Sequence, residues 1–106
     1  MFNYIVLNND NKSSLETEVR FIIATAYVDG NELIALAFNK EDETTFKRTA
    51  HQLKKILNAL KKEGRISFFV DFDNLDNGST ESEFLKNKYL THLNKKANDY
   101  VTFVKI

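Results

Sequence analysis

Apolar residues in the first third of the chain come in short runs broken by polar clusters. Phe2 to Leu7 is the first, a stretch that predicts a strand, and the Asn, Asp and Ser content of 8–14 predicts a loop after it. Val19 to Val28 and Glu32 to Phe38 are two further runs rich in β-branched and aromatic residues. Between them lies Asp29-Gly30, a pair that tolerates the positive φ angles of a type I′ turn, so the segment predicts a hairpin. In that register Phe21 stands opposite Phe38, Ile23 opposite Leu36 and Thr25 opposite Ile34.

The period then changes. Phe46, Ala50, Leu53, Leu57 and Leu60 recur on one helical stripe, with Glu41, Asp42 and Glu43 suited to the start of a helix and Gly64 suited to its end. Ile66, Phe68, Val70 and Phe72 alternate within Arg65 to Phe72 and predict a strand, followed by a turn-rich stretch from Asp73 to Ser79. Thr80 and Glu83 have the spacing of a capping box, ahead of Leu85, Tyr89, Leu93 and Ala97 at helical intervals. Tyr100 to Ile106 alternates again. The order is β-β-β-α-β-α-β, an α+β chain forming one domain over 1–106. The expected architecture is a single mixed sheet of about five strands with two helices on one face, because successive parallel crossovers in one direction place their helices on the same side.

That arrangement has a consequence for packing. The large residues Phe21, Ile23, Ile34, Leu36 and Phe38, with Phe68, Val70 and Phe72, are expected beneath the helices because they offer more area to bury. Ile22, Ala24, Ala26, Leu33, Ala35 and Ala37, extended by Phe69, would then line a bare side. A contiguous apolar patch of that kind marks an interface, and a twofold homodimer is the commonest way to cover it.

Composition narrows the function classes. Hydrophobic residues make up 42% of the 106, including nine Phe and four Tyr, enough apolar area for a core without staples. The absence of cysteine excludes disulfides, thiolate nucleophiles and cysteine-held zinc. Fifteen Lys plus Arg balance fifteen Asp plus Glu, so no global field drives the chain onto nucleic acid or an anionic membrane. No run approaches the roughly 20 apolar residues of a membrane span, and Met1 to Asn9 lacks a secretory pattern, so no membrane partner and a cytoplasmic location are expected. Arginine is confined to Arg20, Arg48 and Arg65 amid many Asn and Lys, a bias associated with AT-rich coding in bacteria or their phages.

Besides the apolar patch, two constellations could carry chemistry. On the first predicted helix, Lys47, Lys54 and Lys61 repeat every seven residues beside Arg48, Lys55 and Lys62, opposite the core stripe. Such a face can meet phosphates, although the scarcity of arginine predicts little base specificity. Asp71 and Asp73, two apart at a strand end, could hold a divalent cation with Asn74 or Asp76. The run Phe68 to Asp73 resembles the aspartate motif of haloacid-dehalogenase-type phosphatases, but Leu75 stands where that family has Thr or Val. It is also similar to calcium loops, whose ligand position Leu75 cannot fill and whose twelfth-position glutamate is Ser82 here. His51 and His92 are isolated, and glycine at only Gly30, Gly64 and Gly78 leaves no phosphate-cradling loop, so no cofactor is expected. The reading that emerges is a small non-catalytic interaction or regulatory module that pairs with itself or another protein. A nucleic-acid accessory protein using the lysine face is the alternative, and a metal-dependent hydrolase at Asp71 and Asp73 the third.

Overall fold

The run from Val19 to Val28, expected as half of a hairpin, lies within a helix that spans Leu15–Val28, and that difference reorganises the topology. The computed structural model describes residues 2–7, 15–39 and 43–106, with the side chains of 43–45 left aside. Its elements are β1 (Phe2–Val6), α1 (Leu15–Val28), β2 (Leu33–Asn39), α2 (Glu43–Lys62), β3 (Phe68–Asp71), α3 (Thr80–Tyr89) and β4 (Asp99–Lys105). Single 3-10 turns follow β3 at Phe72–Asn74 and α3 at Leu90–His92. The expected loop over 8–14 and the residues Glu41 and Asp42 lie outside the described residues.

Leu15, Val19, Ile22, Ile23 and Ala26 form the inward stripe of α1, and Val19, Ile23 and Ala26 are buried. Glu16 and Glu18 sit in its first turn, where the helix dipole favours acids. Asp29-Gly30 ends this helix rather than turning a hairpin. The Asn31 N–H donates to the Ala26 carbonyl at 2.9 Å and the Gly30 N–H to the Tyr27 carbonyl at 3.1 Å, with Gly30 at φ 76°. This is the paired-bond C-cap that glycine serves best. Helix α2 ends in the same way at Gly64, as the sequence suggests: Arg65 N–H donates to Leu60 at 2.9 Å and Gly64 N–H to Lys61 at 3.1 Å.

The chain is α+β, with one mixed sheet of four strands in the order β1-β2-β4-β3, and three helices where two were expected. β1 and β2 are parallel, and β4 runs antiparallel to both its neighbours. The units β1-α1-β2 and β2-α2-β3 step the same way across the sheet, and α1 and α2 share one side, as the crossover argument requires. β4 then returns antiparallel into the gap between β2 and β3. Helix α3, which carries the chain from β3 to β4, lies on the opposite side. Both sides of the sheet are therefore covered.

Two cores result. On one side Ile34, Leu36, Phe38 and Val104 pack against Val19 and Ile23 of α1 and Leu53, Leu57 and Leu60 of α2. On the other, Leu33, Ala35, Ala37, Val101 and Phe103 pack against Leu75, Leu85 and Tyr89. Phe68, Val70 and Phe72, expected to share a side with Ile34, lie on this second side, while Phe69 lies on the first. The pairing of Ala35 with Phe103 across β2 and β4 shows why small residues stand on this side: they make room for a large ring on the neighbouring strand. Among the described residues no helix is long and apolar enough to cross a membrane.

Candidate functional site

The side of the sheet expected to be bare is closed. Leu33, Ala35 and Ala37 have 0% of their surface exposed, beneath α3. Ala26 is buried against the other core, and Ile22 and Phe69 are half-buried there. These residues thus belong to different layers and do not form one surface. The expectation failed because it placed both helices on one side, whereas α3 crosses to the other. Of the seven residues, Ala24 alone is exposed.

Ala24 sits in a different apolar strip, on the outer face of α1. Phe21 is 72% exposed, Tyr27 73% and Val28 81%. Thr17, Phe21, Ala24 and Val28 follow a 4-3-4 spacing, so α1 carries a second stripe pointing away from the core. Helices that are apolar on both faces are normally covered on both. Sequence reasoning missed the strip by reading a period of two where both stripes follow the helical one.

Clefts flank the strip. Between α1 and the end of α2 runs a groove of about 470 Å³ with Ile23 and Ala24 in it, Tyr27 and Val28 along it, and Arg20 and Arg65 at its rim. A smaller cleft of about 110 Å³ separates α1 from β1 and includes Phe21, Ile5 and Asn31. Asn31 is 4% exposed, and its Oδ1 has no hydrogen-bond partner.

The rim of the larger groove is fixed by charge. Arg20 Nη1 and Nη2 donate to the two carboxylate oxygens of Glu63, each at 2.9 Å, and Nε donates to Glu16 at 2.9 Å. Arg65 Nε donates to Glu63 Oε1, also at 2.9 Å. Hydrogen bonds from Arg20 and then Arg65 hold the Glu63 carboxyl down at about 2.

The lysine face lies where its spacing put it. Lys47, Arg48, Lys54, Lys55, Lys61 and Lys62 are all exposed on α2, as is His51. Lys54 and Lys61 overhang the outer edge of β3.

The two acids of the candidate cation site part company. β3 ends at Asp71, and the 3-10 turn that follows breaks the alternation that would align Asp73 with it. Thr102 Oγ1 donates to Asp71 Oδ1 at 2.9 Å, and the Tyr100 hydroxyl is also bonded to Asp71. Burial first, and Asp71 second, push the Tyr100 hydroxyl well above its ordinary pKa of 10.0. No group of three or more His, Asp or Glu that could hold a metal occurs among the described residues. Comparison of the chain with protein-family models, curated proteins and solved structures finds no match in any of the three.

Proposed function

We propose that this chain is a non-catalytic interaction module that pairs with a second copy of itself through the outer face of α1. The observation that carries the reading is the exposed strip of Phe21, Ala24, Tyr27 and Val28 on a helix whose other face is already in the core. Its three large side chains expose on the order of 400 Å², within the range where the largest patch on a monomer tends to be functional. That is about half of the roughly 800 Å² that a standard interface takes from each partner, and the rims of the two flanking clefts supply further area.

Self-pairing is favoured by the order of residues along the strip. When two α1 helices cross antiparallel about a twofold axis at Ala24, positions equidistant from that residue meet. Phe21 of one copy then lies against Tyr27 of the other, with Val28 next to that contact, while the small Ala24 lets the helices approach closely. Large meets large at both ends, and the contact repeats itself.

Light scattering coupled to size exclusion tests the reading. The wild-type chain should elute at twice the monomer mass at micromolar concentration. Ala24→Glu and Phe21→Glu, each at an exposed position, should give monomers with unchanged circular dichroism. A wild-type chain that stays monomeric at the highest attainable concentration refutes self-pairing.

A further inference from the structure

β3 forms one edge of the sheet: β4 pairs with one side of it, and among the described residues no strand pairs with the other. An unpaired edge turns alternate N–H and C=O groups outward, where they bond to water or to an added strand. The helices shape this edge into a slot. Phe68, Phe69, Val70 and Asp71 run consecutively along a groove of about 280 Å³, with Lys54 and Lys61 of α2 on one wall and Ser79 and Glu81, at the start of α3, on the other. The two walls come from opposite sides of the sheet, because α2 packs over Ile34, Leu36 and Phe38 while α3 packs over Ala35 and Phe103.

We propose that the outer edge of β3 takes an extended peptide segment by strand addition, one with acidic side chains at alternate positions and small polar ones between. Neighbouring strands lie about 4.8 Å apart, and successive side chains point to opposite sides, so an added strand sends every second residue toward the lysines and the rest toward Ser79 and Glu81. Charge sets the preference. Lys54 and Lys61 enter no ion pair among the described residues. Seven helical residues separate them by about 10 Å, within the roughly 13 Å that three alternate residues of an added strand span on one face. Asp71 is itself an acid, but its carboxylate is held by Thr102 and Tyr100 of β4, on the paired side of β3 and not at its outer edge. A nucleic-acid strand could meet the same lysines, but it would leave the strand edge unpaired and bring phosphates toward Glu81.

The test uses the full chain and a fluorescein-labelled peptide of four Glu-Thr repeats. Saturable anisotropy is expected, together with amide shift changes concentrated at Phe68 to Asp71. Reversing both charges with Lys54→Glu and Lys61→Glu, at exposed positions, should weaken binding by about tenfold or more, and a Lys-Thr peptide should bind poorly. N-methylation of alternate peptide amides should abolish binding, because main-chain hydrogen bonds carry strand addition. Equal affinity for the N-methylated peptide, no amide response along Phe68 to Asp71, or tighter binding of a thymidine octanucleotide at matched salt would each overturn the proposal.

Discussion

Arg20 and Glu63 meet through two parallel hydrogen bonds of 2.9 Å, tying the middle of α1 to the residue just after the end of α2. The fork-to-fork geometry is specific to arginine, and the same carboxylate also accepts from Arg65. Glu63 is thereby held at about 2, against its usual 4.5. A depressed folded-state pKa contributes stability that is fully present above the unfolded value and is lost as the pH falls through the folded one. The wild type should therefore lose an increment of stability between pH 4.5 and about 2 that Glu63→Gln lacks, so their difference narrows across that window. Acid titration of both proteins, followed by circular dichroism at fixed urea, checks this. A difference that stays constant from pH 6 to pH 2 would contradict the pairing.

The closure of the second sheet side is open to a volume test. Ala35 is fully buried beneath α3 and pairs across the sheet with Phe103. Ala35→Leu forces extra methyl groups into a filled layer and should cost roughly 1–3 kcal/mol. On a bare side the same change would cost almost nothing. Chemical denaturation of the two proteins, compared at constant m value, separates the cases.

The sequence was legible where one period dominated. The α2 stripe of Leu53, Leu57 and Leu60, the cap at Gly64 and the alternation of Ile34, Leu36 and Phe38 all read correctly because each has a single plausible geometry. Val19 to Val28 did not, because its apolar residues occupy both faces of the helix and blur the helical period into a continuous run. Asp29-Gly30 added to the error: a positive-φ glycine serves a type I′ turn and a helix C-cap equally well. The side on which α3 lies could not be read from α3 alone, since it depends on β4 pairing antiparallel between β2 and β3. The lysine face was placed correctly, whereas the exposed strip of α1 became visible only once that segment was known to be helical.

Asp71 and Thr102 face each other across β3 and β4, and their bond is a structural one. Thr102 is buried, so Thr102→Val conserves shape but removes a donor to a half-buried carboxylate. The expected cost is about 2 kcal/mol. At high pH the partner hydroxyl of Tyr100 adds a second signal. Its raised pKa means that stability is intact below 10.0 and declines as the pH rises above that value toward the folded one. Tyr100→Phe should flatten that alkaline decline, which thermal melts between pH 9 and 11 would show. A decline equally steep in the variant would show that Tyr100 is not its source.

Gly30 gives the most direct check on the helix that replaced the hairpin. Its φ of 76° lies in the left-handed region, and a Cβ built there meets nothing within 4 Å, so any penalty for a side chain is conformational and not steric. Gly30→Ala should cost about 1 kcal/mol for holding an L residue in that region. Gly30→Asn should cost less, because asparagine is the other residue that helix C-caps accept. Neither substitution touches the bonds from Gly30 and Asn31 back to Tyr27 and Ala26, so hydrogen exchange at those two amides should stay protected in both variants. In a hairpin the turn amides would instead bond across to Val28 and its neighbours. Rapid exchange at Asn31 in the wild-type chain would show that α1 does not end as described.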